Sequence, residues 1–141
     1  MIRLLGILVA VIFAVLSLLH FYWATGGKAG GAAIPSKGGR ALFEPSAFST
    51  AMVALALLSA MLVVLGRLHL WGDFLLPNWI FYWGTWVISL MFFLRAVGEF
   101  HYVGFFKSVT NTDFARWDYY LFSPLCLFIA VVTFLVNLRT N

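Results

Sequence analysis

The chain has 141 residues, of which 63% are apolar and only 10% are charged, and its mean hydropathy is +0.98. A typical soluble domain is about 45–50% apolar and about 25% charged, and a domain this small has too much surface to bury so many apolar side chains. This composition excludes a soluble globular domain, a disordered chain and a disulfide-stabilised secreted module, and it indicates a compact integral membrane protein.

The positive charges are dispersed along the chain. Nine Lys and Arg residues against five Asp and Glu residues give a formal net charge of +4. Most of the basic residues flank apolar runs, as is typical of membrane proteins, and they form no patch that would bind nucleic acid. The single cysteine, Cys126, lies in an apolar run and excludes an intrachain disulfide or a cysteine-rich zinc site. We therefore expect no nucleic-acid partner and no cofactor.

Four apolar segments are long enough to cross a bilayer, and they cover residues 4–23, 47–66, 79–97 and 119–138. A helix needs about 20 residues to cross a hydrocarbon core of ~30 Å. A membrane β-barrel needs many strands of alternating polarity, and these segments do not alternate. Because backbone groups in lipid must pair within their own segment, the sequence predicts an all-α integral membrane four-helix bundle that forms a single four-span transmembrane domain.

The first apolar segment has two interpretations. Arg3 before it and the small residues after it are typical of a cleaved signal peptide. However, its apolar run is longer than the ~7–15 residues of such peptides, and it ends in the aromatic block Phe21–Trp23. Aromatic residues anchor helices at the membrane interface, so we expect this segment to remain as a transmembrane helix.

The three loops differ in composition. The first, residues 24–46, is rich in glycine and contains Pro35, which is typical of a flexible connector. The second, residues 67–78, is short and contains Asp73, whereas the third, residues 98–118, is dense in polar and aromatic residues. Because four spans alternate in direction, we expect the first and third loops on one side of the membrane and the second loop with both termini on the other.

The ends of all four spans meet on the side of the first and third loops. Four of the five acidic residues fall on this side, and Asp73 is the exception. We therefore expect one face of the bilayer to gather a cluster of polar and ionisable side chains that binds a ligand. The candidate ligand-binding residues are His20, Tyr22, Trp23, Arg95, Glu99, His101, Lys107, Asp118 and Ser123.

The orientation of the chain in the membrane follows from its basic residues, but two counts conflict. The first and third loops hold more Lys and Arg than the other side, which favours placing these loops in the cytoplasm. Arg3, directly before the first apolar run, instead favours a cytoplasmic N-terminus. We favour the second orientation, in the inner (cytoplasmic) membrane of the cell.

Two residues at the end of the third span are spaced to interact. Arg95 and Glu99 are four residues apart and share one helical face. One interpretation is a structural ion pair, since a charge near the hydrocarbon boundary is costly unless it is paired or hydrated. The other is that Arg95 binds an anionic or carbonyl group while Glu99 handles a proton or a cation. His20 is likewise either an interfacial histidine or a proton shuttle that faces Glu99.

Other chemistries find little support in the sequence. The candidate His, Glu and Asp residues show no spacing of a known metal motif, so we expect no metal site. Ser123 lacks the context of a nucleophile elbow, and Cys126 has no base beside it in sequence, which disfavours a hydrolase. Asp118 is placed to cap the start of the fourth span, with Pro124 in its first turns.

Six short motifs occur in order along the chain: His20-Phe-Tyr-Trp23, Pro35-Ser36, Arg95-Ala-Val-Gly-Glu-Phe100, Tyr102-Val-Gly-Phe-Phe-Lys107, Phe114-Ala-Arg-Trp-Asp118 and Ser123-Pro-Leu-Cys-Leu127. This order resembles an uncharacterised bacterial multi-pass membrane family, domain of unknown function 3995. The resemblance covers essentially the whole chain and is most specific between the third and sixth motifs. It implies a small protein with four spans, and it implies no particular activity. The family often has Asp where this chain has Glu99.

Three functions agree with these features. The first is binding of a small polar or amphipathic ligand by the one-sided polar cluster. The second is an intramembrane acid–base enzyme, isomerase-like, that acts on a lipid-like substrate, with Glu99 and His20 as acid and base and Arg95 stabilising negative charge. The third is an accessory subunit of a larger membrane complex. The expected partners are the lipid bilayer and either further copies of the chain or a larger membrane complex.

Overall fold

A computed structural model describes residues 1–30, 33–34, 36–37, 40–42, 44–71 and 75–140 of the chain. Pro35 and Asp73, which the sequence analysis singled out, lie outside the described residues. In the described part, the first loop contains two short strands, β1 (Ser36–Lys37) and β2 (Arg40–Ala41), which pair in antiparallel fashion. Otherwise, the regular structure consists of helices.

Four helical segments are long and apolar enough to cross a membrane. They are α1 (Ile2–Ala24), α2 (Ala47–Arg67), α3 (Asn78–Val97) and a final segment, Asp113–Arg139. The predicted all-α, four-helix membrane architecture is thereby confirmed. The first three helices begin and end close to the predicted bounds, whereas the fourth begins earlier than expected.

The fourth segment is one continuous helix in three parts. It comprises α4 (Asp113–Trp117), a π-helical turn (Asp118–Phe122) and α5 (Ser123–Arg139). Thr112 caps its start, because the Thr112 side chain accepts a hydrogen bond from the Ala115 N–H over 3.0 Å. The prediction that Asp118 caps this helix is therefore wrong, since the helix has already begun and Asp118 lies fully buried inside it.

The π-helical turn has a local cause in the sequence. Pro124 lacks a backbone N–H, and in a regular α-helix its ring would collide with the carbonyl group four residues earlier, at Tyr120. Widening the preceding turn relieves this collision, and the Ser123 N–H accordingly donates to the Asp118 carbonyl, five residues back. Pro124 is the second residue of α5 and lies in its first turn, as the sequence analysis expected, and the π-helical turn joins α5 to α4.

The helices pack as two close pairs, α1 with α2 and α3 with α5. Hydroxyl groups join each pair: Ser17 donates to the Ala54 carbonyl over 2.8 Å, and Ser89 donates to the Ala130 carbonyl over 2.9 Å. The apolar core lies between the two pairs and includes buried side chains from α1, α2, α3 and α5, among them Val9, Phe13, Val64, Ile88 and Ile129. Large apolar side chains also cover much of the outer surface, as expected for helices in contact with lipid.

The two ends of the bundle carry different polar residues. At one end, Arg67 at the end of α2 contacts Asn137 near the end of α5, and Asn137 contacts Tyr82 near the start of α3. This end also holds the N-terminal part of α1, where Gly6 lies against Leu68. The first and third loops therefore lie at the opposite end, where the candidate residues are found.

Candidate functional site

Asp118 is the centre of an ion cluster at the loop end of the bundle. Its carboxylate is fully buried and accepts hydrogen bonds from Arg95 on α3 over 2.9 Å and from Lys107 in the third loop over 3.0 Å. The Gly104 N–H donates to the same carboxylate over 2.8 Å. The third loop and α3 are thus joined to the last helix through one acidic side chain, and we call Arg95, Lys107 and Asp118 the ion cluster.

Lys107 is buried almost as deeply as its acidic partner. Its side chain is 2% exposed, and its ammonium also donates to the Gly104 carbonyl over 3.0 Å. The ammonium lies 5.5 Å from the centre of the Tyr119 ring, within the range of a cation–π contact. A buried charge with this many partners is well compensated, so the third loop is held against the helix end.

Two glycines allow the third loop to fold back on the end of α3. Gly98, which ends α3, has φ +84°, and Gly104 has φ +91°. A Cβ atom on Gly98 would overlap the Val103 carbonyl, and a Cβ atom on Gly104 would overlap the Val97 carbonyl. Only glycine fits at these two positions, where the backbone of the third loop crosses the backbone at the end of α3. This crossing brings the Gly104 N–H to Asp118.

We expect Gly98→Ala to lower the free energy of unfolding by about 1–3 kcal/mol, because alanine at this φ is strained and its methyl group meets backbone that cannot rotate away. Gly26→Ala is the matched control, since Gly26 also has positive φ (+95°) but its Cβ would meet nothing within 4 Å. Denaturant titration of both variants in detergent measures the difference. Equal losses in the two variants would contradict the role of the crossing.

Glu99 and His101 lie outside the ion cluster. Because Gly98 ends α3, Glu99 is no longer on a helix, and its side chain accepts a hydrogen bond from the Tyr102 N–H instead of pairing with Arg95. Glu99 and His101 are both exposed, and the His101 Nδ1 atom lies 3.3 Å from the Ser108 hydroxyl. The expected i, i+4 ion pair is therefore replaced by the contact between Arg95 and Asp118.

His20 and Trp23 line a cavity of about 640 Å³ that is separate from the ion cluster. This cavity lies between the end of α1, the start of α2 and the first loop. His20 Nδ1 lies 2.7 Å from the Leu16 carbonyl, and the imidazole packs against the edge of the Trp23 ring with 5.0 Å between the ring centres. Trp23 Nε1 donates to the Ala29 carbonyl at the start of the first loop over 2.5 Å. Tyr22 lies beside this cavity, with its ring over Gly27.

The candidate residues thus divide between the ion cluster and the cavity, and Glu99 and His101 belong to neither. No residue of the ion cluster lines the cavity around His20, and the cavity is lined by residues of α1, α2 and the first loop. Ser123 belongs with the ion cluster, since its N–H donates to the Asp118 carbonyl. Among the described residues, no three His, Cys, Asp or Glu side chains are grouped to hold a metal ion.

A buried arginine at the opposite end of the bundle was missed by the sequence analysis. Arg67 is 2% exposed, and its guanidinium donates to the Asn137 side chain over 2.7 Å and to the Asn137 carbonyl over 3.2 Å. It also lies 5.4 Å from the centre of the Tyr82 ring. In the sequence Arg67 resembles any basic residue that flanks a span, and only the polar Asn137 inside the last apolar run hints at a partner.

Four apolar membrane-spanning helices, a buried ion cluster at one end, a buried arginine at the other and exposed apolar outer faces define a multi-pass membrane protein. Residues 3–133 match the family described as protein of unknown function (DUF3995), and the chain belongs to this family. The resemblance carried by the six motifs is thereby confirmed. No curated protein and no solved structure matches the chain.

Proposed function

We propose that this protein binds an amphipathic small molecule in the cavity between α1, α2 and the first loop. The observation that carries the proposal is the cavity itself, whose volume of about 640 Å³ lies within the range of small-molecule sites. It lies at the end of two membrane helices, so one side adjoins lipid and the other adjoins the polar loop. We further propose that the four spans act as one unit in the inner membrane.

The lining of the cavity fits a ligand with an apolar body and a polar head. Most of the residues that line it are small or apolar, including Ala33, Ile34, Pro45 and Val53. The polar groups come from His20 and Trp23 on α1, from Ser49 and Thr50 on α2, and from Lys28 in the first loop. An apolar wall with a few placed polar groups is the usual composition of a small-molecule site.

The hydrogen bonding of His20 indicates which head group is preferred. A carbonyl oxygen can only accept, so the contact of Nδ1 with the Leu16 carbonyl places the proton of the neutral imidazole on Nδ1. Nε2 is then an acceptor, and within the described residues no hydrogen bond engages it. A ligand head that donates a hydrogen bond, such as an alcohol, is therefore the expected class.

The structure gives less support to an acid–base enzyme. That reaction would require Glu99 and His20 to face one substrate, whereas Glu99 is exposed and engages the Tyr102 N–H, and His20 lines a cavity to which Glu99 does not contribute. Ligand binding needs only the groups that already line the cavity.

The test uses a long-chain alcohol that carries a photoactivatable diazirine, with the purified protein in detergent. We expect covalent labelling at the cavity residues, and we expect His20→Leu to weaken binding about threefold to tenfold, the worth of one neutral hydrogen bond. His101→Leu is the matched control, because His101 is an exposed histidine outside the cavity.

Competition provides the second arm of this test. Unlabelled alcohol should suppress the labelling. An alkane of the same chain length should suppress it less because it has no hydrogen-bond donor. Labelling spread evenly over the lipid-facing helices, or equal effects of His20→Leu and His101→Leu, would overturn the proposal.

A further inference from the structure

The hydroxyl group of Ser123 differs from the other buried hydroxyl groups of the spans. Five serine and threonine residues are buried in the described chain: Ser17, Thr85, Ser89, Ser123 and Thr133. Four of them donate to a carbonyl oxygen, either across a helix pair or within their own helix. Ser123 is 0% exposed, and its hydroxyl has no hydrogen-bond partner among the described residues.

The π-helical turn explains why Ser123 has no partner. A buried serine or threonine in an α-helix usually donates to the carbonyl four residues earlier, as Thr85 does to Phe81 over 2.7 Å. At Ser123 the backbone N–H instead bonds to the carbonyl five residues back, so the usual acceptor is displaced. Such turns occur frequently at functional sites, and this one leaves a buried hydroxyl free to bind another group.

A second buried donor without a partner belongs to Arg95. Its Nη2 bonds to Asp118, but its Nη1 is buried and has no partner among the described residues. About a third of the Arg95 side chain, 35%, is exposed, although the Nη1 atom itself is buried. An unpaired donor on a charged group in such a position is costly unless an acceptor satisfies it.

These two donors belong to one place in the fold. Arg95 holds the carboxylate of Asp118, and Ser123 bonds to the backbone of the same residue through the π-helical turn. Asp118 is thus the residue through which Arg95, on α3, is linked to the helical turn that ends at Ser123.

The charge of the ion cluster indicates the kind of group that is missing. Arg95 and Lys107 contribute two positive charges, and Asp118 contributes one negative charge, which leaves one excess positive charge. A negatively charged acceptor would accept hydrogen bonds from both free donors and would also balance this charge. A neutral acceptor would accept the hydrogen bonds but leave the charge unbalanced.

We propose that Arg95 Nη1 and the Ser123 hydroxyl form a binding site for an oxyanion of the phosphate type. The site is separate from the cavity around His20, which shares no lining residue with it. The same chemistry is presented by inorganic phosphate and by the phosphate of an anionic lipid. Arginine and serine donors beside a helix end at the membrane interface are suited to either source.

The experiment compares Ser123→Ala with the wild type in detergent, with inorganic phosphate as the probe at constant ionic strength. We expect phosphate to raise the unfolding temperature of the wild type. We expect Ser123→Ala to weaken the apparent Kd for phosphate about tenfold, since a hydrogen bond to a charged group is lost. Nanodiscs of phosphatidylcholine with or without phosphatidylglycerol form the second arm, and stabilisation by the anionic lipid alone would identify a headgroup as the ligand.

Ser89→Ala is the matched control, because Ser89 is also buried but its hydroxyl already donates to the Ala130 carbonyl. This variant should unfold at a lower temperature and keep the response to phosphate or anionic lipid. Ser123→Ala should show the opposite pattern, with normal stability when no anion is present. The proposal is overturned if neither probe stabilises the wild type, if Ser123→Ala responds as the wild type does, or if Ser123→Ala is destabilised without anion as much as Ser89→Ala.

Discussion

Replacing Asp118 with asparagine is expected to lower the free energy of unfolding by about 3–5 kcal/mol, the usual cost of removing one partner from a buried ion pair. Asparagine keeps the shape of the side chain but removes the charge that compensates Lys107, whose side chain is only 2% exposed. The third loop also loses its strongest link to the helix. Equilibrium unfolding in mixed detergent micelles, followed by circular dichroism, measures the loss.

Asp113→Asn is the matched control for this variant. Asp113 is exposed in the first turn of α4, where a negative charge contributes at most about 1 kcal/mol through the helix dipole. A second check combines Asp118→Asn with Lys107→Met, which removes the uncompensated ammonium and should recover part of the stability. Equal unfolding midpoints for Asp118→Asn and Asp113→Asn would contradict the central role of Asp118.

At the other end of the bundle, Asn137→Leu is expected to cost about 2–3 kcal/mol, because hydrogen bonds to charged groups are worth more than neutral ones. The Arg67 guanidinium is buried, and among the described residues its hydrogen bonds go to Asn137. Leucine has a similar size, but its side chain cannot accept the hydrogen bond from Arg67, so the positive charge of Arg67 is left poorly compensated. Unfolding titrations under the conditions used for Asp118→Asn allow the two effects to be compared.

Asn78→Leu is the corresponding control, since Asn78 is an exposed asparagine at the start of α3. It should change the free energy of unfolding by less than about 0.5 kcal/mol. The double variant Arg67→Met with Asn137→Leu should be more stable than Asn137→Leu alone, because it no longer buries a charge. If Asn137→Leu unfolds as the wild type does, Arg67 must be compensated in another way.

The pairing of Arg95 shows where reasoning from sequence spacing fails. Glu99 lies four positions after Arg95, and this spacing places both on one face only while the helix continues. Gly98 ends the helix between them, and Glu99 then serves the backbone of the third loop. The partner found in the structure, Asp118, is 23 residues away, and no local pattern relates it to Arg95.

The grouping of the candidate residues was predictable only in part. Alternation of the spans correctly placed His20, Arg95 and Asp118 toward the loop end of the bundle, since chain direction alone determines which ends meet. It did not determine their neighbours there. His20 packs against Trp23 and the first loop, whereas Arg95 packs against the last helix. Neighbours depend on how the helices pair, and hydropathy carries no information about pairing.

The sequence by itself determined the class of this protein and its four helices, because lipid leaves the backbone of a long apolar segment almost no alternative to a helix. Only the tertiary structure decided which charges are buried together, that Arg67 is buried although it resembles an ordinary flanking residue, and that the buried Ser123 hydroxyl has no hydrogen-bond partner among the described residues. The physical reason is the separation in sequence between the interacting groups. Helix formation depends on neighbours along the chain, whereas compensation of a buried charge depends on groups that packing brings together from distant segments.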